Sequence, residues 1–159
     1  MARPEAVPLG LRLARAAKAV SRAFDDALTE AGGSRPTWLV LVSLKGKPVA
    51  SQRELAEMIG IRGPTLTHHL DVMESAGLVT RRRDPDNRRV HLVELTDSGN
   101  ALFFHLRDAV AAFDQRLRHG IPAHDIAKAE ELLDRLYGNV TSGAGDGSGS
   151  TNSCIRRFM

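Results

Sequence analysis

The sequence predicts a mainly α-helical fold with a single small β-hairpin, and three observations carry that reading. Apolar residues recur at helical spacing through most of residues 9–137. Two short runs, 78–81 and 90–95, carry the β-branched or alternating pattern of strands instead. Glycine or proline stands at the junctions between these segments, at Gly32-Gly33, Gly46-Lys47-Pro48, Gly60, Gly63-Pro64, Gly77 and Gly120-Ile121-Pro122.

Each element can be justified in turn. In residues 9–30, Leu9, Leu13, Ala17, Val20, Phe24 and Leu28 form one helical stripe, and Gly32-Gly33 stops it. Pro36, in a first turn, opens a second helix over 37–44 with Trp38, Leu41 and Leu44 on one side. Ser51 followed by Glu54 three residues later is a capping box, so a short helix begins there. Leu55, Ala56 and Ile59 give it an inner face, and Gly60 suits a left-handed C-cap. Gly63-Pro64 restarts the chain into a helix whose buried seam is Leu66, Leu70 and Met73, ended by Gly77. Residues 78–81 and 90–95 then pair as strands across a turn containing Asp84-Pro85 and Asp86-Asn87. Thr96 caps a long helix to about residue 118, with Phe103, Leu106, Val110, Phe113 and Leu117 in a heptad-like seam. A last helix, 123–137, carries Ile126, Leu133 and Leu136. We therefore expect one domain over 1–137 and a disordered Gly/Ser-rich tail over 138–159.

Composition excludes several classes. Aromatic residues make up 4% of the chain, too few for a surface that stacks single-stranded nucleic acid. A lone Cys154 permits no internal disulfide and fits a reducing compartment. On the floppy tail it also lacks the fixed electropositive niche that a sensor thiol needs. No apolar run approaches the roughly 20 residues of a membrane span. The basic N-terminus reads as a helix start, not a signal peptide, so the expected location is cytoplasmic. There is no Gly-rich phosphate loop, Cys-x-x-Cys, nucleophile elbow or paired carboxylate, and the expectation is a non-enzyme without cofactor. His68 and His69 are adjacent on a helix and diverge by about 100°. His91, His105, His119 and His124 are scattered, so no metal site is expected.

Helix, glycine turn, helix and basic hairpin, in that order, make a helix-turn-helix followed by a wing, over about 48–99. The second helix offers Thr65, Thr67, His68 and Asp71 opposite its buried seam. We expect Thr65, Thr67 and His68 to enter a major groove, with Arg62 and Thr67 on phosphates. Segment 78–93 holds five arginines and two aspartates, a net charge of +3 that equals the charge of the whole chain. The basic excess is thus concentrated in the wing, the footprint of a phosphate-binding surface. Arg83, Arg88 and Arg89 are its candidate contacts.

The wing also carries a resemblance. Asn87-Arg88-Arg89, five residues, then Leu95-Thr96-Asp97-Ser98-Gly99, together with Gly77-Leu78-Val79 and Asp84-Pro85, resembles the winged helix-turn-helix of the MarR (multiple antibiotic resistance regulator) family. The likeness covers roughly residues 9–137. The family signature begins with Asp where this chain has Asn87, which accepts a hydrogen bond but brings no charge. Asp84 and Asp86 are the candidates to supply that charge. The resemblance implies a prokaryotic homodimer joined by helices 9–30 and 97–137, with two recognition helices on a palindromic double-stranded operator. It places Arg88 and Arg89 in the flanking minor groove. It also implies a repressor released by a small phenolic or anionic effector in a cleft near the first helices, where Arg12 or Arg15 would meet the anion and Trp38 cover a ring. Terminal helices with more apolar stripe than a core of about 50 residues can bury point to the same partner surface. The alternative is a winged-helix module for protein contact or nucleoprotein architecture, against which the polar Thr-x-Thr-His face argues.

Overall fold

The computed structural model describes residues 7–141. The elements run α1 (Leu9–Glu30), α2 (Arg35–Gly46), β1 (Val49–Ser51), α3 (Gln52–Ile59), α4 (Gly63–Ser75), β2 (Val79–Arg83), β3 (His91–Leu95), α5 (Asp97–Arg118) and α6 (Ala123–Thr141). The expected helices are all present, and the hairpin strands start one residue later than expected. Strand β1 was not anticipated, because three residues are too few to show a period. It pairs antiparallel with β3, giving a sheet of order β1-β3-β2.

Local chemistry sets the joints. Ser51 Oγ accepts from the Glu54 N–H, and the Glu54 carboxylate accepts from the Ser51 N–H, completing the capping box. Gly60 takes φ 77°, the left-handed conformation that lets α3 stop and α4 turn away. Thr96 Oγ1 accepts from the Gly99 N–H at 3.0 Å and donates to the Gly77 carbonyl at 2.5 Å. A Cβ on Gly99 would run into the Leu78 carbonyl oxygen. The Leu-Thr-x-x-Gly run therefore clamps the end of α4 to the start of α5.

The core gathers Leu28, Trp38, Leu41 and Leu44 with Leu55, Leu66, Leu70 and Met73, closed by Val79, Val93, Phe103 and Leu106. Trp38 stacks on Phe103 with ring centroids 5.6 Å apart, and Phe24 meets Phe113 edge-on at 5.4 Å. The outer helices behave differently. Leu9 and Leu13 of α1, Leu117 of α5 and Leu133 of α6 are exposed, and α6 buries no residue at all. Leu117 therefore leaves the seam in which the heptad spacing put it. Helix α6 also continues to Thr141, so the boundary at 137 moves outward and 138–141 are helical, not tail. The remainder of the expected tail, with Cys154, lies outside the described residues.

Candidate nucleic-acid interface

Helix α4 presents its polar residues because Leu66, Leu70 and Met73 lock the opposite side into the core. Thr65, Thr67 and His68 are exposed, as is Arg62 at the helix N-cap. The Arg62 side chain makes no capping bond, so its guanidinium is left to face solvent at the positive end of the helix.

A cleft of about 830 Å³ separates this helix from the wing. Thr67 and Arg89 line it, together with Ser51, Gln52, Arg53 and His91. Gln52 and Arg53, in the first turn of α3, were missed by sequence reasoning, which took that turn only as a capping signal. Gln52 Nε2 donates to Thr67 Oγ1 at 3.4 Å, and Thr67 Oγ1 donates to the Gly63 carbonyl at 3.0 Å. The Thr67 proton is thus already engaged. A phosphate only accepts, so Thr67 meets one directly only by giving up Gly63, whereas a base donor can be met as it stands.

The wing arginines fall into two groups. Arg81 pairs with Asp71 and Glu74 of α4, and Arg82 pairs with Glu94 across the hairpin. Arg83, Arg88 and Arg89 have no side-chain ion pair among the described residues and are exposed. These three are the wing residues expected to contact DNA. The turn is held by backbone bonds: Asp84 Oδ1 accepts from the Asp86 N–H at 2.9 Å, and Asn87 Oδ1 from the Arg89 N–H at 3.2 Å. Among the described residues neither Asp84 nor Asp86 pins an arginine side chain, so the charge expected from them is not delivered to a wing arginine. Asn87 keeps an accepting role, directed at the backbone of Arg89.

The Glu74 carboxyl is held below the usual carboxylate range, chiefly by hydrogen bonds from Arg81. Arg81 in turn is made harder to deprotonate, chiefly by Glu74 and despite partial burial. Glu54 is lowered to about 2 by the Lys47 ammonium and the Ser51 N–H.

A second cavity, about 380 Å³, lies between α1, α2 and α5. Phe24, Trp38, Leu39, Val110 and Phe113 make it apolar, with Arg35 and Asp114 as its polar groups. Trp38 lines this cavity but is 2% exposed and stacked on Phe103 as a core residue. Arg12 and Arg15 are on the exposed half of α1 and do not line this cavity. Arg35 does; it also donates to Asp25 at 2.8 Å and to the Ser21 carbonyl at 3.0 Å. Among the described residues no cluster of three His, Cys, Asp or Glu side chains could hold a metal ion, and no helix is long and apolar enough to cross a membrane.

Helix-turn-helix, three-stranded sheet and cationic wing define the class as a winged helix-turn-helix protein. Residues 34–91 match the model of the MarR family. Solved structures agree over a longer span. The transcriptional repressor CouR bound to a 23-mer DNA duplex is 29% identical, with TM-score 0.74 over 82% of this chain and 92% of that one. A cysteine-to-serine mutant of MarR from E. coli, complexed with operator DNA, is 26% identical with TM-score 0.72, covering 82% and 94%. The PcaV regulator from Streptomyces coelicolor with its natural ligand, at 24% identity and TM-score 0.71 over 84% and 97%, bears on the fold alone.

Proposed function

We propose that this protein is a dimeric, sequence-specific regulator that binds a palindromic double-stranded operator and is released from it by a small ligand. It is a binding protein, not an enzyme, and acts on DNA in the cytoplasm. The observation that carries the reading is the convergence of two elements on one cleft. Helix α4 turns Thr65, Thr67 and His68 outward, and the wing holds Arg89 across from them with Arg83 and Arg88 unpaired. Polar side chains on a helix read base edges, and flanking guanidiniums take phosphates or a narrow minor groove. The DNA-bound states of CouR and of E. coli MarR support it.

The cavity between α1, α2 and α5 supplies the ligand side. Its apolar walls suit an aromatic ring, and Arg35 suits an anionic substituent. Trp38 forms one wall against which such a ring would lie, and Arg35 takes the anion role expected of Arg12 and Arg15, which do not line the cavity. A ligand that prefers the non-binding spacing of the two reading heads by about 3 kcal/mol weakens DNA binding more than a hundredfold.

Fluorescence anisotropy against the intergenic DNA beside the gene, with scrambled duplex as competitor, tests this. Tight, competitor-resistant binding at two protomers per site, reversed by an aromatic acid, is the expected result. Binding that scrambled duplex matches, in a genome-wide selection as well, would instead favour the architectural role.

A further inference from the structure

The recognition helix has a charge problem. Between Gly63 and Ser75 it contains no lysine or arginine, yet it carries Asp71 and Glu74. These carboxylates are one helical turn apart, on one side of an element that must approach a polyanion. Glu74 lines the same cleft as Thr67 and Arg89. Left bare, both would repel phosphates at the mouth of the groove.

Arg81 of β2 answers both. Its Nη2 lies 2.6 Å from Asp71 Oδ1 and 2.6 Å from Glu74 Oε2, its Nε donates to Glu74 Oε2 at 3.0 Å, and its backbone N–H donates to Glu74 Oε1 at 3.2 Å. The Arg81 side chain is 19% exposed, whereas Asp71 is 57% and Glu74 40% exposed. The cation is thus the least exposed member of the cluster, and the anions are what DNA would meet first. Arg81 is also a lining residue of the cleft. Its Nε and Nη2 are committed to the two carboxylates, and the charge it would offer a phosphate is already offset by them.

We propose that Arg81 is a positioning residue for operator recognition, acting as an internal counter-cation that masks Asp71 and Glu74 so that helix α4 can enter DNA. The inference rests on the DNA-binding function proposed for this protein. The five wing arginines then have separate roles. Arg83, Arg88 and Arg89 face the nucleic acid, Arg82 braces the hairpin, and Arg81 silences the recognition helix. The cluster also bears on specificity. A guanidinium tied up by two carboxylates cannot serve as an indiscriminate phosphate contact, so the cluster suppresses binding to unrelated sequence.

The test is a charge series on the full-length protein, with operator and scrambled duplex titrated in parallel over a range of salt. Arg81→Met should weaken operator binding at least tenfold. Arg81→Lys, which keeps the charge but not the fork, should lose only a few-fold. Adding Asp71→Asn and Glu74→Gln to Arg81→Met should recover most of the loss, since no anion remains to be masked. A lost helix-to-wing strut would not be rescued by removing its remaining partners. Asp71→Asn with Glu74→Gln in the presence of Arg81 should raise affinity for scrambled duplex more than for operator, lowering the specificity ratio about three-fold or more. This arm stands even if Arg81→Met does not fold. Unchanged binding by Arg81→Met, a triple variant as weak as Arg81→Met, or an unchanged specificity ratio in the double variant would each overturn the proposal. A wild-type protein that prefers neither duplex would overturn the DNA-binding function itself, a separate failure.

Discussion

Glu54 shows how one side chain serves fold and titration together. Its carboxylate closes the capping box of α3 and pairs with Lys47 across the turn from α2. Those bonds to the charged form lower its pKa from 4.5 to about 2. A carboxyl whose folded pKa is depressed contributes stability that is complete above about 4.5 and fades as pH falls toward 2. Both partners are about half exposed, so solvent screening keeps the ion pair itself modest. Glu54→Gln keeps an acceptor for the Ser51 N–H but loses the charge, so it should lower Tm by about 2–4 °C at pH 7, the scale of about 1 kcal/mol of charge-assisted hydrogen bonding. Thermal unfolding followed by circular dichroism should show that gap closing between pH 5 and 2. A gap that stays constant with pH would mean the carboxylate charge contributes nothing. At this scale the sequence was most legible where a bond is local. Ser51 and Glu54 are three residues apart, and their pairing follows from spacing alone. Lys47, which lies outside the helix, and the Gly99 approach to Leu78 depend on how elements pack and left no such signature.

The wing is the element whose chemistry was half legible. Counting charge over 78–93 located the basic patch, but counting cannot tell which arginines are already paired. In a strand, side chains alternate between faces, yet Arg81 and Arg82, on opposite faces, both find carboxylates: Arg81 on α4 and Arg82 on β3. The unpaired arginines are Arg83 at the strand end and Arg88 and Arg89 in the turn. Release of condensed counterions makes the slope of log K against log salt a count of phosphates met. Replacing Arg88 and Arg89 together by Ala should flatten that slope by up to about two units and weaken operator binding, whereas Arg82→Ala should leave it nearly unchanged. Anisotropy titrations at four or five salt concentrations separate the two. Equal slopes for wild type and the Arg88/Arg89 variant would remove the wing from the interface. The three-residue β1 gave no pattern to read, and its place in the sheet is set by pairing with β3, a contact across more than 40 residues of sequence.

For the whole molecule the decisive fact is what the chain by itself fails to bury. Helix α6 runs for 19 residues without one buried side chain, and Leu132, Leu133, Tyr137 and Val140 stand exposed on it. Leu9, Leu11 and Leu13 do the same at the start of α1. An amphipathic helix gains most of its stability from packing its apolar face, so a helix this long with none packed calls for a surface from elsewhere. Both faces belong to the ends of the chain, and a two-fold axis relating two copies would bring them together while setting two α4 helices about one DNA turn apart. The two ends differ in charge as well: Arg12, Arg15, Lys18 and Arg22 make the first part of α1 basic, whereas α6 carries Asp125, Glu130, Glu131 and Asp134 against Lys128 and Arg135. In a monomer Leu133 is 50% and Val140 80% exposed, so replacing both with Asp should cost little stability. In a dimer the same change puts two charges per subunit into an apolar seam. The expected outcome for Leu133→Asp with Val140→Asp is a shift from two subunits to one in analytical ultracentrifugation, with operator affinity falling at least a hundredfold as two half-sites cease to be held at once. A variant that sediments as wild type and still binds its operator would show that these helices cover something other than a second copy.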